Sequence, residues 1–204
     1  MSKNAFTLVE VLVVLGVLSI LGLIVLTIFT RSLRGTNKTQ IILSIKENGQ
    51  SVLENIDKNI RNADNLVCVS SNTVVLFKEG TYTRYRISEP QDSSTSPTCS
   101  ENGCIAFDSP QPLPEEITPE EFINRLGQNR ICSSTDPLLS PTILTDTDEE
   151  KGVLVSNGLF ELDRKEGFKD SLNVKFTLEA PPGAPEALRG QIDPVIFETT
   201  IQLR

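Results

Sequence analysis

From Phe6 to Phe29 the chain is an apolar run interrupted by one ionisable side chain, Glu10. That run constrains the fold more than any other feature. A helix over it is about 36 Å long at 1.5 Å per residue, enough to cross a bilayer core with some tilt. A secretory signal has a shorter apolar core, with a small-residue cleavage site behind it. Here the run is longer and ends in "TIFTRSLRG", so the sequence predicts a retained anchor. Glu10 is the anomaly within it, because a charge near the bilayer centre costs about 2.5–3.5 kcal/mol even on the lenient insertion scale.

The 204 residues leave room for one membrane element and one modest soluble domain. Beyond the anchor only roughly a third of the residues are apolar, below the usual fraction of about 45–50%. There is no Trp, and aromatic residues are 5% of the chain, so a core built there alone is expected to be marginal. Cys68, Cys99, Cys104 and Cys132 all follow the anchor. An even count on the far side of a membrane predicts two disulfides bracing that core, against the alternative of free buried thiols in a cytosolic domain. The spacing leaves the pairing open, although Cys99 and Cys104 could close the short surface loop "CSENGC".

Orientation is read from two opposing signals. Lys3 precedes the anchor, while Arg31, Arg34 and Lys38 follow it, and positive-inside counting would keep the C-terminal part in the cytoplasm. Long domains translocate largely regardless of flanking charge, so the cysteines decide, and the head is expected outside. The net charge of −8 is uneven. Residues 30–64 carry six basic and four acidic side chains, and residues 65–204 carry twelve and twenty-two. An acidic head lacks the basic footprint of a nucleic-acid binder. The local stretch "YTRYR" is expected to be a solvated strand face rather than a polyanion contact.

After the anchor, "RSLRGTNKTQ" loses its apolar periodicity, and Gly35 weakens the helix there. From Gln40 the pattern returns: Ile41, Ile45, Val52, Ile56, Ile60 and Ala63 recur at helical steps. Lys46, Glu47, Glu54, Asp57, Lys58 and Arg61 occupy the other face, with Glu54 and Lys58 four apart in the favourable order. The N-terminal third therefore reads as one long helix, open to interruption near Gly35 and ending near Asn62–Asn65. Strands are predicted at "LVCVS", "TVVLF", "TYTRYRI" and "CIAFD", and again at "GVLVSN", "LFELD", "LNVKFTLEA" and "DPVIFETTIQLR". Residues 88–103, "SPQPLPEEI" and 133–151 read as polar or irregular, and "APPGAPEALRG" as a long connection. "TPEEFINRLG" predicts a short helix with Thr118 as N-cap, Pro119 in the first helical position, Glu121 completing a capping box and Gly127 as the stop. The fold class is α+β: a long N-terminal helix packed on an antiparallel sheet. Val174, Phe176 and Leu178, with Val195, Phe197, Thr199 and Ile201, are expected to form the sheet face beneath the helix.

The chain has no histidine, which removes the commonest general base and the commonest metal ligand. No nucleophile elbow, phosphate loop or dinucleotide fingerprint occurs, and the cysteines lack zinc spacing. No catalytic residues and no cofactor are expected. The one weak metal candidate is calcium at Asp146, Asp148 and Glu149 in "TDTDEEKG", whose order departs from the EF-hand pattern and which otherwise reads as a solvated acidic loop. The pairs Glu115/Glu116 and Glu120/Glu121 read as helix-entry residues.

A short polar leader ending in a small residue, "MSKNA", precedes "FTLVEVLVVLGVLSILGLI". This closely resembles the class III signal of type IV pilins and type II secretion pseudopilins. The resemblance implies cleavage between Ala5 and Phe6 by a membrane prepilin peptidase, then N-methylation of Phe6. It also implies that Glu10 is the family's acidic residue, pairing with the new amine of a neighbouring subunit and so offsetting two charges otherwise stranded in an apolar setting. Ala5 stands where Gly is usual, which predicts slower processing, and residues 6–29 lack the proline of many major pilins. Beyond these first 25 or so residues, "SVLENIDKNIRNADNLVCVSSNTVVLF" and "FETTIQLR" resemble the helix-to-sheet passage and last strand of J-type and W-type minor pilins.

The expected organisation is a leader over 1–5, a transmembrane and assembly helix over 6–30, its amphipathic half over 31–64, and an extracytoplasmic β-rich head over 65–204. The implied role is a minor pilin or pseudopilin in a pilus-like or secretion filament, not an enzyme. Its implied partners are other pilin subunits, prepilin peptidase, an inner-membrane assembly platform and membrane lipid. The implied location is a bacterial inner membrane, then a surface filament. Alternatives are a signal-anchored extracytoplasmic ligand-binding protein, or a DNA-uptake pseudopilin that would need local basic contacts to nucleic acid.

Overall fold

The computed structural model describes residues 7–90, 99, 102–108, 110–113, 118–121, 132, 141–163 and 171–202. Two compact units divide the chain, Met1–Gln40 and Ile41–Arg204. Helix α1 (Leu8–Asn62) carries residues of both and runs through Gly35 without a break. A single glycine costs a helix about 1 kcal/mol, too little to stop an element of 55 residues. The Thr39 hydroxyl, moreover, donates to the Gly35 carbonyl at 3.0 Å.

In the second unit the strands form two antiparallel sheets rather than the one expected. The larger contains β1 (Asn65–Val69), β2 (Thr73–Lys78), β3 (Thr81–Ser88), β4 (Cys104–Asp108), β5 (Gln111–Pro112) and, after the three described residues of α2 (Pro119–Glu121), β6 (Pro141–Ile143). Its order is β1-β2-β3-β4-β6, with β5 pairing the start of β3. The smaller sheet runs β7 (Leu154–Asp163), β8 (Ser171–Glu179), β9 (Val195–Gln202), with the short helix α3 (Glu186–Arg189) before β9. β5 and β6 thus fall in stretches read as irregular. Pro141 begins an edge strand, where a missing N–H is tolerated. The Thr118 cap is present, its hydroxyl oxygen accepting from the Glu121 N–H at 3.3 Å. Gly127 and the rest of that predicted helix lie outside the described residues, as do Glu115 and Glu116.

"GVLVSN" and "LFELD" form one strand, β7, not two. Its register against β8 slips between Ser156 and Leu159, and Asn157 adopts a left-handed φ of 50°. An extra residue is absorbed there as a bulge. A side chain on Gly158 would strike Ile87 of β3. At the bulge β7 crosses close to the larger sheet, touching it through Phe160 N–H to Ser71 C=O and Val155 N–H to Asn102 C=O, at 2.8 and 2.9 Å. These isolated bonds do not make a ladder, which is why the strands remain two sheets.

The helix and both sheets share one core. Ile45, Val52, Ile56 and Ile60 are fully buried against Val74, Leu76, Tyr85, Ile87 and Ile105 of one sheet and Leu172, Val174, Phe176, Leu178 and Ile201 of the other. The expected alternation in β8 and β9 holds, with Val174 opposite Thr199, Phe176 opposite Phe197 and Leu178 opposite Val195. The closest approach is at Gly49, where a Cβ would enter the Phe197 ring, which stacks on Phe176 at 5.4 Å. Polar residues beside the stripe lock the helix in place. The Tyr85 hydroxyl donates to Asn55 Oδ1 at 2.8 Å and accepts from Asn59 Nδ2 at 2.6 Å. Asn48 Oδ1 accepts from the Asp146 N–H at 2.7 Å.

The reading of "YTRYR" as a solvated face is overturned. Arg84 and Arg86 are 3% and 1% exposed. Both lie on the sheet face away from α1, opposite Val75 and Thr73. There Val67, Val75 and Phe77 pack with Tyr82, Leu113 and Cys132. Arg84 is neutralised by Asp108 at 2.9 Å, and the Arg86 Nε–H reaches the Thr73 hydroxyl oxygen at 3.4 Å. The alternation was visible in sequence, but not that this face is buried, with Leu113 and Cys132 packed on it.

Two outcomes follow from the helix seam. Gly49→Val should destabilise the full chain in detergent micelles by about 1–3 kcal/mol by overpacking, and the penalty should largely vanish in a Phe197→Ala background. Equal costs in both backgrounds would place the clash elsewhere. Burial raises the Tyr85 phenol above the usual 10.0, only partly opposed by the Asn59 hydrogen bond. Its folded-state pKa being the higher, Tyr85 contributes stability that is complete below the unfolded pKa and falls as the pH rises above it. Tyrosinate absorbance from Tyr85 should therefore appear only with alkaline unfolding, and a Tyr85→Phe chain should lose that component of the pH dependence.

Candidate assembly site

In the first unit, Thr7 caps α1, its hydroxyl oxygen accepting from the Glu10 N–H at 3.3 Å. A hydroxyl residue three places before an acid is the start of a capping box, and the carboxylate lies in the first turn, where the helix dipole favours negative charge. Around it, Leu8, Val9, Val11, Leu12 and Val13 are 48–75% exposed. The best 18-residue window of α1 reaches a mean hydropathy of 3.1, and none of it is buried within the chain. None of the described residues forms an ion pair or hydrogen bond with the Glu10 carboxylate. Ala5 and Phe6, the expected cleavage and N-methylation positions, lie outside the described residues.

Several hydroxyl side chains along this unit are satisfied locally. The Ser19, Thr27 and Thr30 hydroxyls donate to the carbonyls of Leu15, Leu23 and Leu26 at 2.8, 2.8 and 3.0 Å. Thr36 does the same to Ser32 at 3.0 Å. Such back-bonding removes the cost of placing a hydroxyl in lipid. No equivalent is open to Glu10, because a carboxylate has no proton to donate. Gly16 and Gly22 meet nothing of the chain itself.

The other singled-out residues serve the head. Cys68 pairs with Cys132, and Cys99 with Cys104, at Cα separations of 6.2 and 5.5 Å. The expected short loop is thus closed, and β1 is tied to a residue 64 positions on. In the calcium candidate, Asp146 Oδ1 accepts from the Asp148 N–H at 3.0 Å, and Asp148 Oδ1 accepts from the N–H groups of Glu150 and Lys151, both at 2.9 Å. The Lys151 N–H, then that of Glu150, hold the Asp148 carboxyl below its ordinary value. The Glu149 carbonyl accepts from the Gly183 N–H at 2.9 Å. Asp146 and Asp148 are thus engaged in turn formation. Among the described residues no three His, Cys, Asp or Glu side chains are gathered to hold a metal.

Sequence reasoning missed Asn48, Gly49, Asn55 and Asn59, which seat α1 on the head. The available signal was three asparagines flanking an apolar stripe at helical spacing.

Residues 1–29 match the family model described as the prokaryotic N-terminal methylation motif. No curated protein and no solved structure matches the chain.

The spans of the two disulfides predict unequal effects. On loop-closure entropy, removing Cys68–Cys132 by Ser substitution should cost about 4 kcal/mol, and removing Cys99–Cys104 about 2 kcal/mol. Denaturant unfolding of the two double variants checks the order.

Proposed function

We propose that this chain, which carries the N-terminal methylation motif and the α+β architecture of type IV pilin-like proteins, is a minor pilin or pseudopilin, a structural subunit of a pilus-like or secretion filament. One observation carries the reading: a lone carboxylate stands near the start of an exposed apolar helix and has no partner among the described residues. The motif implies processing by prepilin peptidase and assembly with other pilin subunits. Cleavage before Phe6 creates an amine four residues from Glu10. In a bundle of such helices, one subunit's carboxylate pairs with the amine of its neighbour. Neither charge then remains alone in an apolar medium, and the pairing fixes the axial register of adjacent subunits.

Before assembly the subunit rests in the inner membrane, anchored by α1 in lipid and engaged by an assembly platform. Its head is extracytoplasmic, where oxidising conditions sustain the two disulfides. The burial of Arg84 and Arg86 weighs against the DNA-uptake reading, since neither guanidinium is a surface cation for phosphate.

Mass spectrometry of the protein from cells with active peptidase should find Phe6 as an N-methylated first residue. An intact N-terminus would move the reading to a signal-anchored binding protein. Glu10→Gln should leave membrane insertion intact. Removing one partner of a desolvated pair costs about 3–5 kcal/mol, so incorporation into filaments should fall by about a hundredfold or more. Unchanged incorporation would remove the pairing argument.

A further inference from the structure

We propose that the cleft between β1 and β7 accepts an extended segment of another polypeptide, which inserts as a strand and joins the two sheets. This inference does not depend on the filament reading. β1 is an outer strand of the larger sheet and β7 an outer strand of the smaller one. The turn after β1 meets β7 at the Phe160 N–H to Ser71 C=O bond of 2.8 Å, and beyond it the two strands border a common cleft of about 620 Å³. Leu66, Val69, the Cys68–Cys132 disulfide, Leu159, Glu161 and Leu162 line it. Among the described residues, neither strand has a second laddered neighbour.

The occupant follows from the walls. Unpaired strand edges present backbone N–H and C=O groups, whose complement is another extended backbone. Among the described residues β9 also lacks a second neighbour, but a strand bound there would meet one edge, whereas a strand in the cleft is bordered by two. The five residues of β1 span about 16 Å at 3.3 Å per residue, which sets an insert of about five residues. Leucine, valine and disulfide surfaces favour apolar side chains at alternate positions of that insert. Among the described residues Glu161 is the one ionisable side chain lining the cleft, and it is exposed, so a lysine or arginine on the insert complements it. The partner is therefore a strand-forming segment with alternating apolar residues and one basic residue.

The test uses the full chain in detergent micelles and the capped peptide acetyl-Val-Thr-Val-Lys-Val-Thr-amide. Hydrogen exchange is followed in segments 65–71 and 159–162. Saturating peptide should slow exchange there by about tenfold or more, while a version N-methylated at alternate amides should have no effect. Glu161→Lys should weaken binding of the lysine peptide by about three- to fivefold and favour the glutamate-substituted peptide instead. Three results would overturn the proposal. They are unchanged exchange at millimolar peptide, equal protection by the N-methylated peptide, and protection that rises with protein concentration without peptide, which would give the cleft to a second copy.

Discussion

The head depends on the seam where α1 enters it. Ile45, Val52, Ile56 and Ile60 are fully buried, and they touch residues of both sheets rather than capping one. Burying such side chains contributes about 1.5–3 kcal/mol each. In a chain with 5% aromatic residues and no Trp, little else could replace them. Without this half of α1 the two sheets would meet only through sparse contacts such as Phe160 to Ser71 and Val155 to Asn102. The helix is therefore the common wall on which two small sheets become one core.

Hydrophobic burial alone does not fix how a helix rotates or slides on its bed. Polar contacts and one glycine do so here. Gly49 admits the Phe197 ring at a single height, and Asn55 and Asn59 grip the Tyr85 hydroxyl about two to three turns further along. Asn48 reaches the 146–151 turn from the same helix. A slip by one residue would bring a Cβ against Phe197 and separate the phenol from its amides. The seam thus joins a non-directional attraction to a few directional contacts that select one arrangement.

These two kinds of interaction differ in how legible they are. The apolar stripe of α1 and the alternation of β8 and β9 are periodic, so sequence gives them away. The N-terminal half of α1 is visible because one ionisable residue is all that interrupts its apolar run from Phe6 to Phe29. What sequence does not expose is what lies opposite each strand face. Arg84 and Arg86 alternate like solvent-facing residues, yet both are buried, and Asp108 supplies the counter-charge to Arg84 from another strand. The bulge at Asn157–Gly158 was likewise hidden: Asn-Gly reads as a turn, yet pairing with β8 resumes at Leu159 opposite Lys175, and the approach of Ile87 leaves room only for glycine at 158. At the assembly site, Glu10 and its apolar setting were legible together. The hydroxyl back-bonding that makes the rest of the anchor acceptable to lipid needed coordinates.

Among the described residues, Arg84 and Glu10 both carry charge in apolar surroundings, and the two cases differ. Inside the head, the Arg84 guanidinium meets Asp108 at 2.9 Å, and both side chains are nearly inaccessible. The fold supplies that partner, so the pair is complete in a single molecule. In the anchor, a carboxylate sits among leucines and valines that are all exposed, and no described residue offers it a cation. The hydroxyls of the same helix fold back onto their own carbonyls, an option closed to an acceptor-only group. A charge whose partner lies within the chain stabilises one fold. On the reading proposed above, a charge whose partner comes from a neighbour instead favours association, because its cost in an apolar medium is relieved only there. The same electrostatic rule is thus met within one chain at Arg84 and Asp108, and among the described residues it is not met at Glu10.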